Sequence, residues 1–227
     1  VPTMFIAELE HPDFSSFDLS SLRTGLMAGS ICPVEVVKKV QSMMHRCEVQ
    51  IAYGMTETSS VATISPYGKP KIGSFGIPLP NTMATVAHPE SSEFLPVGDI
   101  GELLLKGPQI TAGYWNNPEE TKRMLAEIDG EIWLRTGDMV RRDEEGYFYF
   151  YDRKRDMIKY KGYAVFAREV EEVLANHPQI KEAGVIGVRE PKVGENVKAI
   201  VVLETEARGK LSEEEKEKLR KMGVELQ

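Results

Sequence analysis

The sequence predicts an α/β protein in which a β-α-β unit leads into a small β-rich region and then into the start of a small α+β region. Three observations predict it. The apolar run Val49–Tyr53 is stopped by Gly54 and preceded by an amphipathic stretch, "PVEVVKKVQSMM", a succession that reads as a helix feeding a buried strand. From residue 66 onward, short β-prone runs alternate with Gly and Pro turns, the pattern of small antiparallel sheets. From "DRKRDMIKYKGY" the pattern changes again, with one helical period, "AREVEEVL", ahead of two apolar strand-like runs.

In chain order, "LRTGLMAGS" reads as a buried strand running into a small-residue turn. Pro33 opens a helix, where a missing amide donor costs nothing, with Val36, Val37, Val40, Met43 and Met44 inward. "VQIAY" is the second strand, and in open α/β sheets ligands sit at the carboxyl ends of strands. Residues 66–151 carry the strands "GELLLKG" and "WLRTGD" and the hairpin "DEEGYFYFYD". A helix is inserted at "NNPEETKRML", with Asn117 as N-cap and Pro118 as its first residue. The third region holds a helix over 168–176, with Val170, Val173 and Leu174 inward, and the strands "AGVIGV" and "VKAIVVL". The charged segment Asp152–Asp156 marks a boundary, giving 1–151 (a β-α-β unit over 1–65, a β-rich subdomain over 66–151) and 152–227. The chain ends on "EEEKEKLRKMGVELQ", read as a solvated helix with Ser212 and Glu215 as a capping box and Glu214–Lys218 and Glu217–Lys221 as ion-pair spacings.

Composition narrows the function. A formal charge of −7 over 227 residues argues against a surface built to hold nucleic acid, and no apolar run approaches the roughly 20 residues of a membrane span. Cys32 and Cys47 are compatible with a disulfide, but in an acidic chain without a signal segment they read as reduced, cytoplasmic thiols. The opening "VPTMFIAELE" has no initiator Met. His11, His45, His88 and His177 have no mutual spacing for a metal or a triad and read as surface or local packing residues. "GKPKIGSFG" lacks the G-x-x-x-x-G-K-[ST] spacing of a phosphate loop and reads as a connector.

The chemistry concentrates in Thr56-Glu57-Thr58. A hydroxyl can donate to a phosphate oxygen while an adjacent carboxylate holds Mg²⁺; a plain helix N-cap is the other reading of these few residues. Further segments, in order, are "YGMTE" (53–57), "GELLLKGPQITAGYW" (101–115), "WLRTGD" (133–138), "YDRKRDMIKYKG" (151–162) and "AREVEEVL" (167–174). Together they resemble the adenylate-forming superfamily of acyl-CoA synthetases, peptide-synthetase adenylation domains and firefly-type luciferases. "DMIKYKGY", and the lack of a D-x-Q-V-K-I-R-G pattern, look more like the acyl-CoA synthetase branch.

The resemblance implies that residues 1–151 are the C-terminal part of a large adenylating domain and 152–227 an incomplete mobile domain. It implies a fatty or other carboxylic acid, ATP (leaving as AMP), Mg²⁺ and coenzyme A as reaction partners. Gly29, Ser30 and Ile31 would border adenine, with Ala52, Tyr53 and Gly54 on its other side. Thr56 would contact the α-phosphate, Glu57 would hold Mg²⁺, Asp138 the ribose, and Arg153 the ribose or phosphate. Arg155 would be the pivot of the mobile domain, and Lys159, Lys161 and Gly162 part of the face presented for thioester formation; a solvated basic strand edge is the other reading of these cations. Met27 and Met55 would line the acyl pocket. The family's β,γ-phosphate loop belongs upstream of Val1 and its C-terminal lysine beyond Gln227, since Lys210, Lys216, Lys218 and Lys221 lie too early. The chain therefore reads as an inactive internal fragment of a ligase, with a non-catalytic nucleotide-binding or interaction module, or a peptide-synthetase-type domain, as alternatives.

Overall fold

The computed structural model describes residues 1–44, 46–190, 192–204 and 224–226, which fall into two compact units, Val1–Phe150 and Tyr151–Gln227. The first unit opens with α1 (Pro2–Glu10) and continues through β1 (Thr24–Met27), α2 (Val34–Met43) and β2 (Glu48–Tyr53). β1 and β2 are parallel, in register from Thr24↔Glu48 to Met27↔Ile51. In α2, Val37 and Val40, together with Met44 just past its end, are buried at helical spacing, while Val36 and Met43 are half-buried. Pro33 is the N-cap of this helix rather than its first residue. The short antiparallel strands β3 (Thr63–Ile64) and β4 (Ile77–Pro78) complete the order β1-β2-β3-β4. β1 is therefore an edge strand, and only Met27 in it is fully buried, with Leu26 half exposed. Side chains alternate across a strand, so the face away from the core stays open and the expectation of a buried strand fails.

A second, antiparallel sheet follows: β5 (Met83–Ala87), β6 (Ile100–Lys106), α3 (Pro118–Met124), β7 (Leu125–Ile128), β8 (Glu131–Arg142) and β9 (Phe148–Arg153). Its order is β5-β6-β8-β7, with β9 on β8 as the hairpin predicted from "DEEGYFYFYD". Asn117 caps α3, its Oδ1 accepting the Glu120 N–H at 3.2 Å. Leu103 and Leu105 of β6 face one core together with Val37, Val40, Val49, Ile51, Leu134 and Phe148, whereas Leu104 turns to the other face with Ala87 and Trp133. One core thus spans both sheets of the unit. The connector "GKPKIGSFG" is fastened to the β8–β9 hairpin: Lys71 pairs with Asp143 and Glu145, each at 2.7 Å, and Phe75 and Gly76 exchange backbone bonds with Phe148 at 3.0 Å.

The second unit contains β10 (Ile158–Tyr160), β11 (Tyr163–Val165), α4 (Ala167–Ala175), β12 (Ile180–Glu190), β13 (Gly194–Leu203) and β14 (Val224–Leu226). The order is β11-β10-β13-β12, and β14 pairs in parallel with β13. Residues 224–226 are thus strand, where the sequence suggested the end of a solvated helix; Ser212, Glu214, Glu215, Glu217 and the four lysines between 210 and 221 lie outside the described residues. In α4 the buried stripe runs through Ala167, Val170 and Leu174, which contact Ile158, Val185 and Ala199. Ala167 shifts this stripe so that Val173, expected inward, is 73% exposed.

Both cysteines are free. The Nδ1 atoms of His11, His88 and His177 each accept backbone N–H groups two or three residues downstream, as local turn residues do; His45 lies outside the described residues. No helix among the described residues is long and apolar enough to cross a membrane.

Close approach dictates glycine at residues 54 and 76, as it does at 101, where a Cβ would stand 2.4 Å from the Ala87 carbonyl oxygen. A Cβ on Gly54 would stand 1.6 Å from the Ser60 carbonyl oxygen, and one on Gly76, at φ +92°, would stand 2.0 Å from the Ile64 carbonyl carbon. Gly98 has a similar φ of +99° but open space around it. Gly98→Ala is expected to cost about 1 kcal/mol from backbone strain alone. Gly76→Ala adds a backbone clash and should cost at least about 3 kcal/mol; urea unfolding of the two variants side by side checks the difference.

Candidate functional site

Because β1 and β2 are parallel, the loops leaving them open at the same end of the sheet. The first carries Gly29, at φ +82°, then Ser30 and Ile31, all three exposed. The second starts from buried Ala52 and half-buried Tyr53 and turns at Gly54 into a short 3₁₀ segment, Thr56–Thr58. Thr58 does the structural work of this turn. Its buried Oγ1 accepts the Met55 N–H at 3.0 Å and lies 3.0 and 3.1 Å from the carbonyl oxygens of Met55 and Ser60. Thr56 is exposed and Glu57 half-buried; the N-cap is Met55, so no residue of the triplet is an N-cap, and Thr58 instead bonds back to the N-cap amide as the third residue of the segment.

Tyr53 links this loop to the second sheet. Its ring packs on Phe75 at 4.8 Å between centroids, and its hydroxyl donates to Asp138 Oδ2 at 2.6 Å, across 85 positions of sequence. Asp138 sits on a bulge. Pairing of β6 with β8 jumps from Glu102↔Met139 to Leu104↔Arg135, so Thr136, Gly137 and Asp138 leave the ladder, with Gly137 at φ +73°. The bulge is bolted from behind by Glu102, which is 2% exposed. Glu102 Oε1 accepts the Gly137 N–H at 3.1 Å and its Oε2 pairs with the Arg135 guanidinium, whose Nε is 3.1 Å away. Arg135 also donates to Ser92 Oγ at 2.8 Å, and Thr136 Oγ1 to the Leu103 carbonyl at 2.9 Å. The motif "RTGD" is therefore a preformed protrusion whose carboxylate is aimed at the end of β2.

Glu57 has one side-chain partner that the sequence did not suggest. Tyr114, in the loop before α3, donates its hydroxyl to Glu57 Oε1. That hydrogen bond, then partial burial and the charges of Glu57 and Glu120, push the phenol up to about 12, so it stays a donor throughout the neutral range. The two segments are also joined by the backbone, Thr111 N–H to the Glu57 carbonyl at 2.9 Å, and by Ser59 Oγ to the Gln109 carbonyl at 2.9 Å. Of the two methionines expected at an acyl pocket, Met55 is half-buried with its sulfur 4.0 Å from the Tyr53 hydroxyl. Met27 is wholly buried in the core and presents no surface to a ligand in this structure.

The remaining candidates belong to the second unit. Buried Asp152 accepts the N–H groups of Arg153 at 2.8 Å and Arg168 at 3.3 Å, fixing the chain on either side of the basic segment. Arg155 is largely exposed, 3.5 Å from Asp156. Lys159 donates its N–H to Glu195 Oε2 at 2.8 Å. Lys161 and Gly162 form the two-residue turn between paired Tyr160 and Tyr163, with φ +49° and +85°. Those angles belong to a type I′ hairpin, for which Gly at the second position is the natural choice. Lys159 sits in β10, which lies between β11 and β13 and is no edge strand, while Lys161 and Gly162 are a hairpin tip, so the strand-edge reading describes neither place.

The model of the AMP-binding enzyme family matches residues 1–115, and that of the AMP-binding enzyme C-terminal domain matches residues 169–225. The chain belongs to the AMP-binding enzyme family. It is 43% identical to a long-chain-fatty-acid–CoA ligase of Bacillus subtilis over 213 residues, which are 93% of this chain and 37% of that protein. It is 40% identical to the luciferin 4-monooxygenase of Nipponoluciola cruciata over 205 residues, 90% of this chain and 37% of that one. Its fold matches ATP-bound MatB from Rhodopseudomonas palustris with a TM-score of 0.81 at 29% identity, covering 100% of this chain and 46% of MatB. The chain thus spans less than half the length of these relatives.

Glu102 and Tyr114 were missed as site residues although both stand inside quoted motifs. A signal for Glu102 was available: it is the one acid in its strand and is followed directly by three leucines, "ELLL". Its truncation tests the bolt. Glu102→Ala should destabilise the protein by about 3–5 kcal/mol, as when one partner of a buried pair is removed. Adding Arg135→Met should recover part of that loss, because no uncompensated guanidinium remains; denaturant midpoints of the three proteins decide it.

Proposed function

We propose that the complete protein is an ATP-dependent acid–CoA ligase that activates a fatty or other carboxylic acid as its acyl adenylate and passes the acyl group to coenzyme A. The observation that carries this reading is the Tyr53–Asp138 hydrogen bond, which sets a preformed carboxylate beside the strand end bearing Thr56 and Glu57. The relatives support the ligase class, and the match to ATP-bound MatB supports the nucleotide. Residues 1–151 would be part of the large AMP-binding domain and 152–227 an incomplete mobile domain, in a protein we place in the cytoplasm on the strength of its free thiols.

In the first step a carboxylate oxygen of the acid attacks the α-phosphorus of ATP and pyrophosphate leaves with the bonding electron pair. In the second, the thiol sulfur of coenzyme A attacks the acyl carbon, its proton is lost, and AMP departs. Asp138 can hold both ribose hydroxyls and still keep Tyr53, because a carboxylate offers about four acceptor positions. Gly29, Ser30 and Ile31 on one side and Ala52, Tyr53 and Gly54 on the other would enclose adenine. The exposed Thr56 hydroxyl would donate to an α-phosphate oxygen. Mg²⁺ takes one or two protein carboxylates and fills its other positions with phosphate and water. Glu57 fits that role alone: it is half-buried, and among the described residues no three acidic, His or Cys side chains gather into a cage. A bound Mg²⁺ would offset the negative charge of the phosphates there. Arg153 would reach ribose or phosphate, Arg155 would be the pivot, and Lys159, Lys161 and Gly162 would serve the thioester step.

Pyrophosphate exchange by the complete protein isolates the first step. Glu57→Gln keeps the side chain's size but removes its charge, and should slow exchange by about 10²–10³, the scale of one lost electrostatic contact to the transition state. Unchanged exchange at limiting Mg²⁺ would remove Glu57 from the site. Arg155→Pro should leave exchange intact and block thioester formation, since proline fixes φ and stiffens the pivot; equal loss of both half-reactions would reject the pivot role. Exchange without any acyl-CoA product from a broad set of acids would instead favour an adenylating protein that does not use coenzyme A.

A further inference from the structure

We propose that Tyr114 is a positioning residue for Glu57, its phenol occupying Oε1 so that Oε2 is the oxygen offered to the cation of a metal–nucleotide ligand. The inference rests on the nucleotide-activating function proposed for the complete protein. It comes from how firmly both ends of the hydrogen bond are held. Tyr114 N–H donates to Thr121 Oγ1 at 2.9 Å, its carbonyl accepts from Asn117 N–H at 3.3 Å, and Thr121 Oγ1 in turn reaches the Asn117 carbonyl at 2.9 Å. Tyr114 is thereby bound to the first turn of α3. A Cβ on Gly113, at φ +142°, would come within 2.6 Å of Thr121 Cγ2, so the loop lies pressed against that helix. At the other end, Glu57 is tied to the same loop through Thr111 N–H, and Ser59 through the Gln109 carbonyl. A phenol needs only two torsions to be fixed, so its hydroxyl is delivered to Oε1 at small entropic cost.

The consequence is chemical. A carboxylate free to rotate can bind a cation through either oxygen or through both. With Oε1 accepting a hydrogen bond, Oε2 is the better placed donor and one-oxygen binding is favoured. Mg²⁺, with its strict octahedron at about 2.1 Å, takes carboxylate oxygens singly, whereas the larger Ca²⁺ accepts both. Tyr114 would therefore orient Glu57 and also bias the site toward the smaller cation. A tyrosine that merely anchors its loop would do neither.

The test is Tyr114→Phe in the complete protein, which keeps the ring and deletes the donor. Mn²⁺ serves as the probe, its binding followed by electron paramagnetic resonance with a non-hydrolysable ATP analogue present. Loss of an outer partner of a metal ligand should weaken Mn²⁺ binding about tenfold, and competition by Ca²⁺ should become more effective. Glu57→Gln/Tyr114→Phe should bind Mn²⁺ no more weakly than Glu57→Gln alone. If Tyr114→Phe binds Mn²⁺ as the parent does while Glu57→Gln does not, Tyr114 has no positioning role although Glu57 stands as the ligand. If Glu57→Gln itself leaves Mn²⁺ binding unchanged, the metal reading of Glu57 fails, and this inference with it. Equal weakening of analogue binding by Tyr114→Phe with and without metal would show a loosened loop and overturn the positioning role.

Discussion

Much of the first unit's site depends on one buried carboxylate. Glu102 lies in the middle of a central strand and is nearly inaccessible to water, a position where an unpaired charge would be prohibitively costly. Its charge is met by Arg135 and its second oxygen by the Gly137 N–H. The same bonds force the bulge that lifts Asp138 out of the ladder and toward Tyr53. A continuous ladder would place the residue after Gly137 in plain strand register, where β6 rather than the end of β2 would be its neighbour. The buried pair is thus a weak argument for stability and a good one for specificity: it selects one arrangement of the "RTGD" loop from those an apolar strand would allow.

The legible parts of the fold were those with local causes. Asn117-Pro118 announces α3 through its cap and its missing donor, and the structure shows that cap. The "DEEG" turn and the period of "YFYFY" give the β8–β9 hairpin. What failed depended on neighbours. The exposure of Leu26 follows from β1 being at an edge, and nothing in "TGLM" states that. Val173 has the right spacing for the core, but the stripe is set by which residue of α4 meets β12 and β13, and Ala167 takes that place. The opening helix α1 escaped notice because its apolar residues, Met4 and Phe5 among them, carry little amphipathic contrast.

The candidate site was legible in a different way. Thr56 and Glu57 stand out locally as a hydroxyl beside a carboxylate, Asp138 only through the ordered motifs, and the contacts that fix them run across the chain. The Tyr53–Asp138 bond spans 85 positions and the Tyr114–Glu57 bond 57, distances over which periodicity says nothing. Glycine carried more than its motif role suggested. Gly54 admits no side chain because Ser60 folds back onto it, which fixes where Thr56 and Glu57 emerge. Gly162 is the second residue of a type I′ turn, which explains "YKGY" as hairpin chemistry before any ligand is considered.

The two units are built to hold different things still. In the first, three candidate groups have a backing partner: Asp138 the bulge, Glu57 the loop bound to α3, Tyr53 the ring of Phe75. Such backing suits groups that stabilise developing charge, because a dipole or carboxylate already in place needs no reorganisation when the charge appears. In the second unit, Arg155 is largely exposed and Lys161 rides on a hairpin tip. What is fixed there is the backbone, through buried Asp152 and its bonds to Arg153 and Arg168. Long cationic side chains on a rigid backbone reach variable positions at little cost, so the second unit immobilises backbone where the first immobilises side chains.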